Sequence, residues 1–569
     1  MPVGVSLLLL ELNDPMDRQF DVIVVGSGAA GSFAAMGLTE QGLDVLLLEA
    51  GRTITTDDFP INLSGPKEKG VQLWARIRAS VTGQPLQSRV ALYAQQQRHL
   101  FVKDSDHPYS TDKDAPFLWI RGKQLGGRLH TFGRVLMRWS DGDFKAADRD
   151  GFGENWPIAY ADLASYYARV EETLGVRGCP EGVPSIPDGH YAGPSKLTAA
   201  ERDFKQATEQ HWPGRKATSW RYMPPNIKRV PVPILKAQET GKLTIRSEAI
   251  ARRILTDPAT GAATGVEFVD ARSKQVETVR AGAVMVCASA IESVRLLLNS
   301  AGGKHPNGVG NNNDMLGRYF MDQMPSMIMG TVPGRTGWEA DDTVPADPFY
   351  GVGGGVYIPR WENVLSQTNG DFLRGYGYQG TIGRLFSPEG NAAKFGIMGF
   401  GEMLPNADNR ISLHRSRKDR WGIPIPHIRC KMGDNDVKVL RAQSKAIFEM
   451  AENAGLETEF VGNGLGLEEH GRGIFPDADW FSRMLVRMNF TKSMAMGAAI
   501  HESGGARMGS DPATSVLNGD NQVWDAPNLF VTDASSFTTG GTSGTTLTIM
   551  ALSLRASARV ARLLSARQA

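Results

Sequence analysis

The sequence predicts an α/β fold: a parallel, doubly wound sheet joined to a mixed α+β domain built on an antiparallel sheet. Three observations carry that expectation. A continuous, mostly β-branched run, FDVIVVG at 20–26, reads as a strand buried on both faces of a parallel sheet. It leads at once into glycines spaced GxGxxG, then into a helical stretch and a second apolar run, LDVLLLEAG. Residues 311–489 differ in character, with many glycines and aromatics and short alternating runs such as GVYIPRW and RISLHR, which suit antiparallel strands.

In the first unit each glycine has a distinct task. Gly26 allows the tight turn, Gly28 lets main chain approach a pyrophosphate, and Gly31 lets helix and strand pack closely. The helix FAAMGLTEQG is expected to end at Gly42. Glu49, 23 residues after Gly26, falls at the end of the second strand, where an acid accepts hydrogen bonds from a ribose hydroxyl. Strand, glycines, helix, strand and acid together predict dinucleotide binding.

The chain has 569 residues, too many for one hydrophobic core, with hydrophobic residues at 41% and charged residues at 22%, as in soluble globular proteins. Lys plus Arg (62) against Asp plus Glu (61) leaves a net charge of +1 without a long basic block, so no nucleic-acid partner is expected. Cys179, Cys287 and Cys430 lie far apart without metal-ligand spacing, which predicts neither disulfides nor a metal site and suits a cytoplasmic setting. Residues 1–16 read as an N-terminal extension rather than a signal peptide, and no run is long and apolar enough for a membrane span.

The continuation Glu49-Ala50-Gly51-Arg52 resembles the end of the second strand in glucose-methanol-choline flavoproteins. Four further stretches carry the resemblance, in family order. RGKQLGGRLHTFGR (121–134) is similar to the second flavin loop, with Gly126 and Gly127 as its paired glycines, although Arg128 to Phe132 depart from the family pattern. Some sugar oxidases of the family attach FAD covalently through a histidine in this loop. His130 is one position away from theirs, so an ordinary loop histidine is expected. AGAVMVCASAIESVRLLLNSA (281–301) resembles a strand, turn and helix whose small residues, Ala288 among them, approach the flavin. GENWPIAYADLASYYARVEETLGV (153–176), a helix that Asp162 can cap, looks with RWSDGDF before it like the bacterial glucoside 3-dehydrogenase-like subgroup. The last block contains NLFVTDAS, and its resemblance to the family implies that Asp533 lies near the flavin ribityl chain and that the helix that follows points its N-terminus at the flavin.

The resemblance implies FAD as cofactor and oxidation of an alcohol CH–OH, on a sugar, glycoside or aryl alcohol, by hydride transfer to flavin N5. The electron acceptor, whether oxygen, quinone or cytochrome, stays open. His501, in IHESGGARMG, matches the family's active-site histidine and would serve as general base. Gly504 and Gly505 are expected to let main chain pass close to flavin or substrate. The second catalytic His or Asn of the family aligns with Gly544, which has no side chain. Either Thr545, the favoured candidate, or Ser543 takes that role, or a histidine of the substrate domain does, or His501 acts alone. A flavin-containing lyase and a non-catalytic flavin-binding subunit are the alternatives.

The implied architecture is a Rossmann-like FAD-binding domain made of 17–160, 225–310 and 490–569, with a substrate-binding domain made of 161–224 and 311–489. Trp338, Tyr350, Tyr357, Trp361, Tyr376 and Tyr378 are candidates to line the substrate cavity.

Overall fold

The computed structural model describes residues 19–61, 73–340, 344–387 and 389–568; the expected extension at 1–16 lies outside these. Phe20–Val25 is the centre of a parallel sheet, between Val45–Leu48 on one side and the end of Val276–Val286 on the other. Leu243–Arg246 and Ala526–Val531 extend the sheet outward, so segments from both ends and the middle of the chain build one layer. Val22, Ile23, Val24 and Val45 to Leu47 are fully buried, which is why these strands read as unbroken apolar runs rather than as alternations.

The first helix is Ala29–Thr39. It stops three residues before Gly42, whose left-handed φ of +82° closes the turn with an N–H bond to the Thr39 carbonyl. A Cβ at Gly31 would run into the Gly26 carbonyl oxygen, so close helix–strand packing requires glycine there. Helices Thr546–Gln568 and Val232–Glu239 pack on this first helix, and Tyr160–Leu174 packs on both of them. Asp162 is not the cap expected but the third residue of Tyr160–Leu174, and from inside the first turn it accepts the N–H of Ala159, the cap residue, at 2.8 Å.

A second, seven-stranded antiparallel sheet runs in the order Gly466–Glu469, Glu457–Asn463, Met324–Thr336, Ala392–Gly401, Tyr376–Leu385, Val356–Ile358, Thr218–Ser219. GVYIPRW supplies one of its strands. RISLHR does not: Arg410–Lys418 pairs with Pro424–Arg429, which pairs with Ser110–Thr111, in a separate three-stranded sheet. In Arg410–Lys418 only Ile411 is buried, so the strand cannot lie in a layer covered on both faces. Helix Asp434–Asn453 packs on the large sheet, and Gln379, paired with Met398, and Phe400 two residues on share the face turned to the cavity.

Candidate active site

A cavity of about 520 Å³, within the range of small-molecule sites, lies between the two sheets' domains and is lined by both. Its first part is a cradle of main chain. Gly26, at φ +96°, turns the chain out of the first strand, and a Cβ at Gly28 would meet no atom within 4 Å, so the space beside it is open for a ligand. Gly127 faces Gly28 across the cradle. The N-termini of Ala29–Thr39, Ala290–Asn299 and Thr546–Gln568 all contribute lining residues, which makes the cradle favourable for phosphate and other negative charge.

Glu49 lines the same part. Ser27 donates to its Oε2 from both N–H and hydroxyl, and Gly51 N–H donates to Oε1 at 2.8 Å. Burial, the largest influence, raises its pKa despite these bonds. The Ser27 hydroxyl also accepts the Gly126 N–H at 2.9 Å and so ties the second glycine loop to the first. Asp533 accepts from the Ser293 hydroxyl and from Ser535 N–H and hydroxyl; burial raises its pKa too.

The second part of the cavity is made by side chains around His501. The chain at 497–503 runs beside 321–323, with Met321 and Ser503 exchanging two main-chain hydrogen bonds. Asp322 clamps the turn: its Oδ2 accepts the Gly497 N–H at 2.7 Å and its Oδ1 the His501 N–H at 2.9 Å. Between those two anchors Ile500 is held at φ +63°, a conformation that a β-branched residue adopts at a cost of about 1–3 kcal/mol. Burial, then the nearby Glu502, pushes the Asp322 carboxyl up to about 7.

His501 Nδ1 lies 2.6 Å from Gln323 Oε1, and the ring lies against Phe400 with centroids 5.0 Å apart. Burial, then the Arg128 guanidinium, lowers its pKa to about 4. Arg128 is itself paired with Glu502 at 2.7 Å. An ideal Cβ on Gly544 would lie 3.6 Å from His501 Nε2, so the missing side chain leaves room directly beside that nitrogen. Gly544 is not in the left-handed region, so the backbone does not demand glycine there.

Gly26, Gly28, Glu49, Gly127, Ala288, Asp533, His501 and Thr545 line this one cavity, as predicted from the sequence, while Gly31 and Gly126 stand just behind it. Other candidates fall elsewhere. The Arg52 side chain is half-exposed and forms a bidentate pair with Asp58; only its carbonyl serves the site, by accepting the Leu125 N–H that anchors the second loop. His130 is turned away from the cavity, with Nε2 on the Leu125 carbonyl at 2.9 Å and its ring beside Phe59. That position fits the ordinary loop histidine expected. Ser543 points out of the cavity to the Tyr357 hydroxyl at 2.8 Å, leaving Thr545 as the nearer hydroxyl.

Gly504 and Gly505 are also corrected. A Cβ at Gly504 would collide with the Tyr319 carbonyl and one at Gly505 would lie 2.8 Å from Val294 Cγ2, so both glycines serve packing within the protein. None of the six candidate aromatics lines the cavity. Trp361 stacks on Tyr378 and both meet Tyr376 edge-to-face, Tyr350 is bonded to the His130 carbonyl, and Trp338 is exposed. Leu92, Phe132, Val135, Met398 and Phe400 form the apolar wall instead, with Gln97, Thr131 and Gln379 as polar groups. Sequence reasoning missed Ser27, Asp322 and Gln323. The last two had a signal, two adjacent polar residues inside the apolar run YFMDQM.

A dinucleotide cradle opening onto a half-buried histidine is the arrangement of a flavin-dependent oxidoreductase. Family comparison agrees: residues 20–315 and 405–553 match the N- and C-terminal parts of GMC oxidoreductase. The chain belongs to that family, and FAD is its cofactor; the open cradle at Gly28, the buried acceptor Glu49 and the helix N-termini fit it. It is similar to a 2-methyl-1,2-propanediol dehydrogenase of Mycolicibacterium austroafricanum (28% identical, covering 96% of this chain and 95% of that protein). It is also similar to a paromamine 6'-oxidase of Streptomyces fradiae (27%, 96% and 92%). Among solved structures, a pyridoxine 4-oxidase from Mesorbium loti shares the fold with a TM-score of 0.60 at 18% identity, over 95% of this chain and 99% of that one.

Proposed function

We propose that this protein oxidises the CH–OH group of a sugar, glycoside or aryl alcohol to a carbonyl, with His501 taking the hydroxyl proton on Nε2. The observation that carries the reading is an imidazole whose Nδ1 is engaged by Gln323 and whose Nε2 borders open space in the cavity. FAD, when bound, would supply the two-electron acceptor for the carbinol hydrogen. Among this chain's residues, Gly28 and Gly127 would admit the pyrophosphate, Glu49 would receive a ribose hydroxyl, and Asp533 would lie along the linker. Thr545, Thr131 and Gln379 offer hydrogen bonds to the alcohol, and the apolar wall excludes water from it. The space at Gly544 favours a secondary or hindered carbinol. Relatives whose names cover a diol and a sugar, such as the fructose dehydrogenase large subunit of Gluconobacter japonicus, support a hydroxylated substrate.

The test is anaerobic titration of the yellow protein with sugars, glycosides, aryl alcohols and small diols. Bleaching of the flavin by one of these classes is expected. A flavin that none of them bleaches would sink the reading in favour of a lyase or a non-catalytic subunit. Reoxidation in air then separates an oxidase from a dehydrogenase.

A further inference from the structure

We propose that Gln323 is the positioning residue that selects the Nδ1–H tautomer of His501 and so makes Nε2 the proton acceptor. The proposal rests on the reading of His501 as the base. Gln323 is buried at the point where the Asp322 clamp enters strand Met324–Thr336. Its amide nitrogen, with two N–H groups, lies within hydrogen-bond reach of three main-chain carbonyls, Gly540 at 3.1 Å, Gly541 at 2.9 Å and Ser543 at 2.9 Å. These acceptors fix which way the amide faces. Turned by 180°, Oε1 would confront three carbonyl oxygens, and those carbonyls would lose their donor.

The amide oxygen therefore faces His501 Nδ1, at 2.6 Å. An amide oxygen only accepts, so Nδ1 carries the hydrogen, and in a neutral imidazole the lone pair is then on Nε2. That nitrogen borders the space at Gly544. The carbonyls that orient Gln323 belong to the loop leading into Gly544 and Thr545, so the loop that shapes the substrate space also sets the proton state of the base.

A neutral partner has a second consequence. The charged groups around the ring are Arg128, its partner Glu502, and Asp322, which contacts the histidine through the main-chain N–H. None of them accepts from Nδ1, so nothing opposes the burial that keeps His501 neutral down to about pH 4. A carboxylate in place of the amide would stabilise the imidazolium and raise that limit.

The experiment uses the FAD-loaded protein and two variants, Gln323→Met and Gln323→Glu. Histidine-labelled protein gives the ring ¹⁵N signals of His501, assigned by their loss in His501→Ala. Single-turnover flavin reduction across pH gives the rate and its acid limb. The wild type should show a protonated Nδ1 and an unprotonated Nε2. Gln323→Met should retain FAD, show mixed tautomers and reduce at least about 10-fold more slowly. Gln323→Glu, like Met, loses the donor to the three carbonyls but keeps an acceptor oxygen at Nδ1, so at alkaline pH it should reduce faster than Met while its acid limb moves up by about one pH unit or more.

A Gln323 that merely braces the loop would leave the acid limb in place in both variants and would make Glu as slow as Met; that pattern overturns the proposal, as does a protonated Nε2 in the wild type. If Gln323→Met fails to fold, the Gln323→Glu limb and the wild-type ring signals still decide. Wild-type reduction rates in His501→Ala would instead remove the base assignment itself.

Discussion

The two parts of the cavity are built from different materials. The cradle is main chain: Gly26, Gly28 and Gly127 withdraw side chains, and helix N-termini supply the polarity. The part around His501 is side chain, assembled from residues 178 and 179 positions apart and held over a strained Ile500. Binding a cofactor in the first requires space; presenting a base in the second requires orientation. Substitutions should therefore act as added volume in the cradle and as lost hydrogen bonds at the histidine.

The largest effect is expected from Gly28→Leu. Its Cβ would meet no protein atom within 4 Å and its branches would occupy the open cradle, so circular dichroism should match wild type while FAD retention falls by about 10- to 100-fold, measured by flavin fluorescence titration. Full FAD content would place the cofactor elsewhere. Next is Asp322→Ala, which releases the Gly497 and His501 N–H groups and should cost about 1–3 kcal/mol of stability in denaturant melts. Because the folded Asp322 pKa is raised to about 7 from 3.8, its contribution is full below the unfolded value and fades as pH rises through 7. The wild-type advantage over the variant should accordingly shrink between pH 5 and pH 8.

Gly544→Asn would fill the space beside Nε2. Turnover of a bulky secondary alcohol should drop about 10-fold, with any gain confined to small alcohols. A faster Asn variant on the bulky substrate would show that the space has no role. The smallest effect is expected from Arg52→Ala, whose exposed ion pair is worth about 0–1 kcal/mol and whose contribution to the site is a carbonyl any residue supplies. Its FAD content should equal wild type.

The same contrast explains what could be read from the sequence. A main-chain cradle writes itself as glycine spacing after a buried strand, so Gly26, Gly28, Gly31, Gly127 and Glu49 were legible before any coordinates. His501 was legible through its resemblance to a family motif rather than through its own neighbours. Gln323 and Asp322 act by where the chain brings them, and nothing local links residue 323 to residue 501. His130, Arg52, Ser543 and the aromatic set show the converse error: each is of a suitable residue type, but chain direction turns it to the Leu125 carbonyl, to Asp58, to Tyr357 or into an aromatic cluster. Gly504 and Gly505 fail for a related reason, since glycine marks a close approach without saying whether the neighbour is a ligand or the protein itself.

The most direct test of the central claim is the pH dependence of anaerobic flavin reduction in wild type and His501→Ala. A base must be unprotonated to act, and the folded His501 pKa is lowered from 6.5 to about 4 by burial and Arg128. Wild-type reduction should thus stay level from neutral pH down to about 5 and fall only as pH approaches 4. The Ala variant should keep its FAD and lose about 10²–10⁴ in rate, together with that limb. A variant that reduces within a few-fold of wild type and keeps the same acid limb would contradict the account.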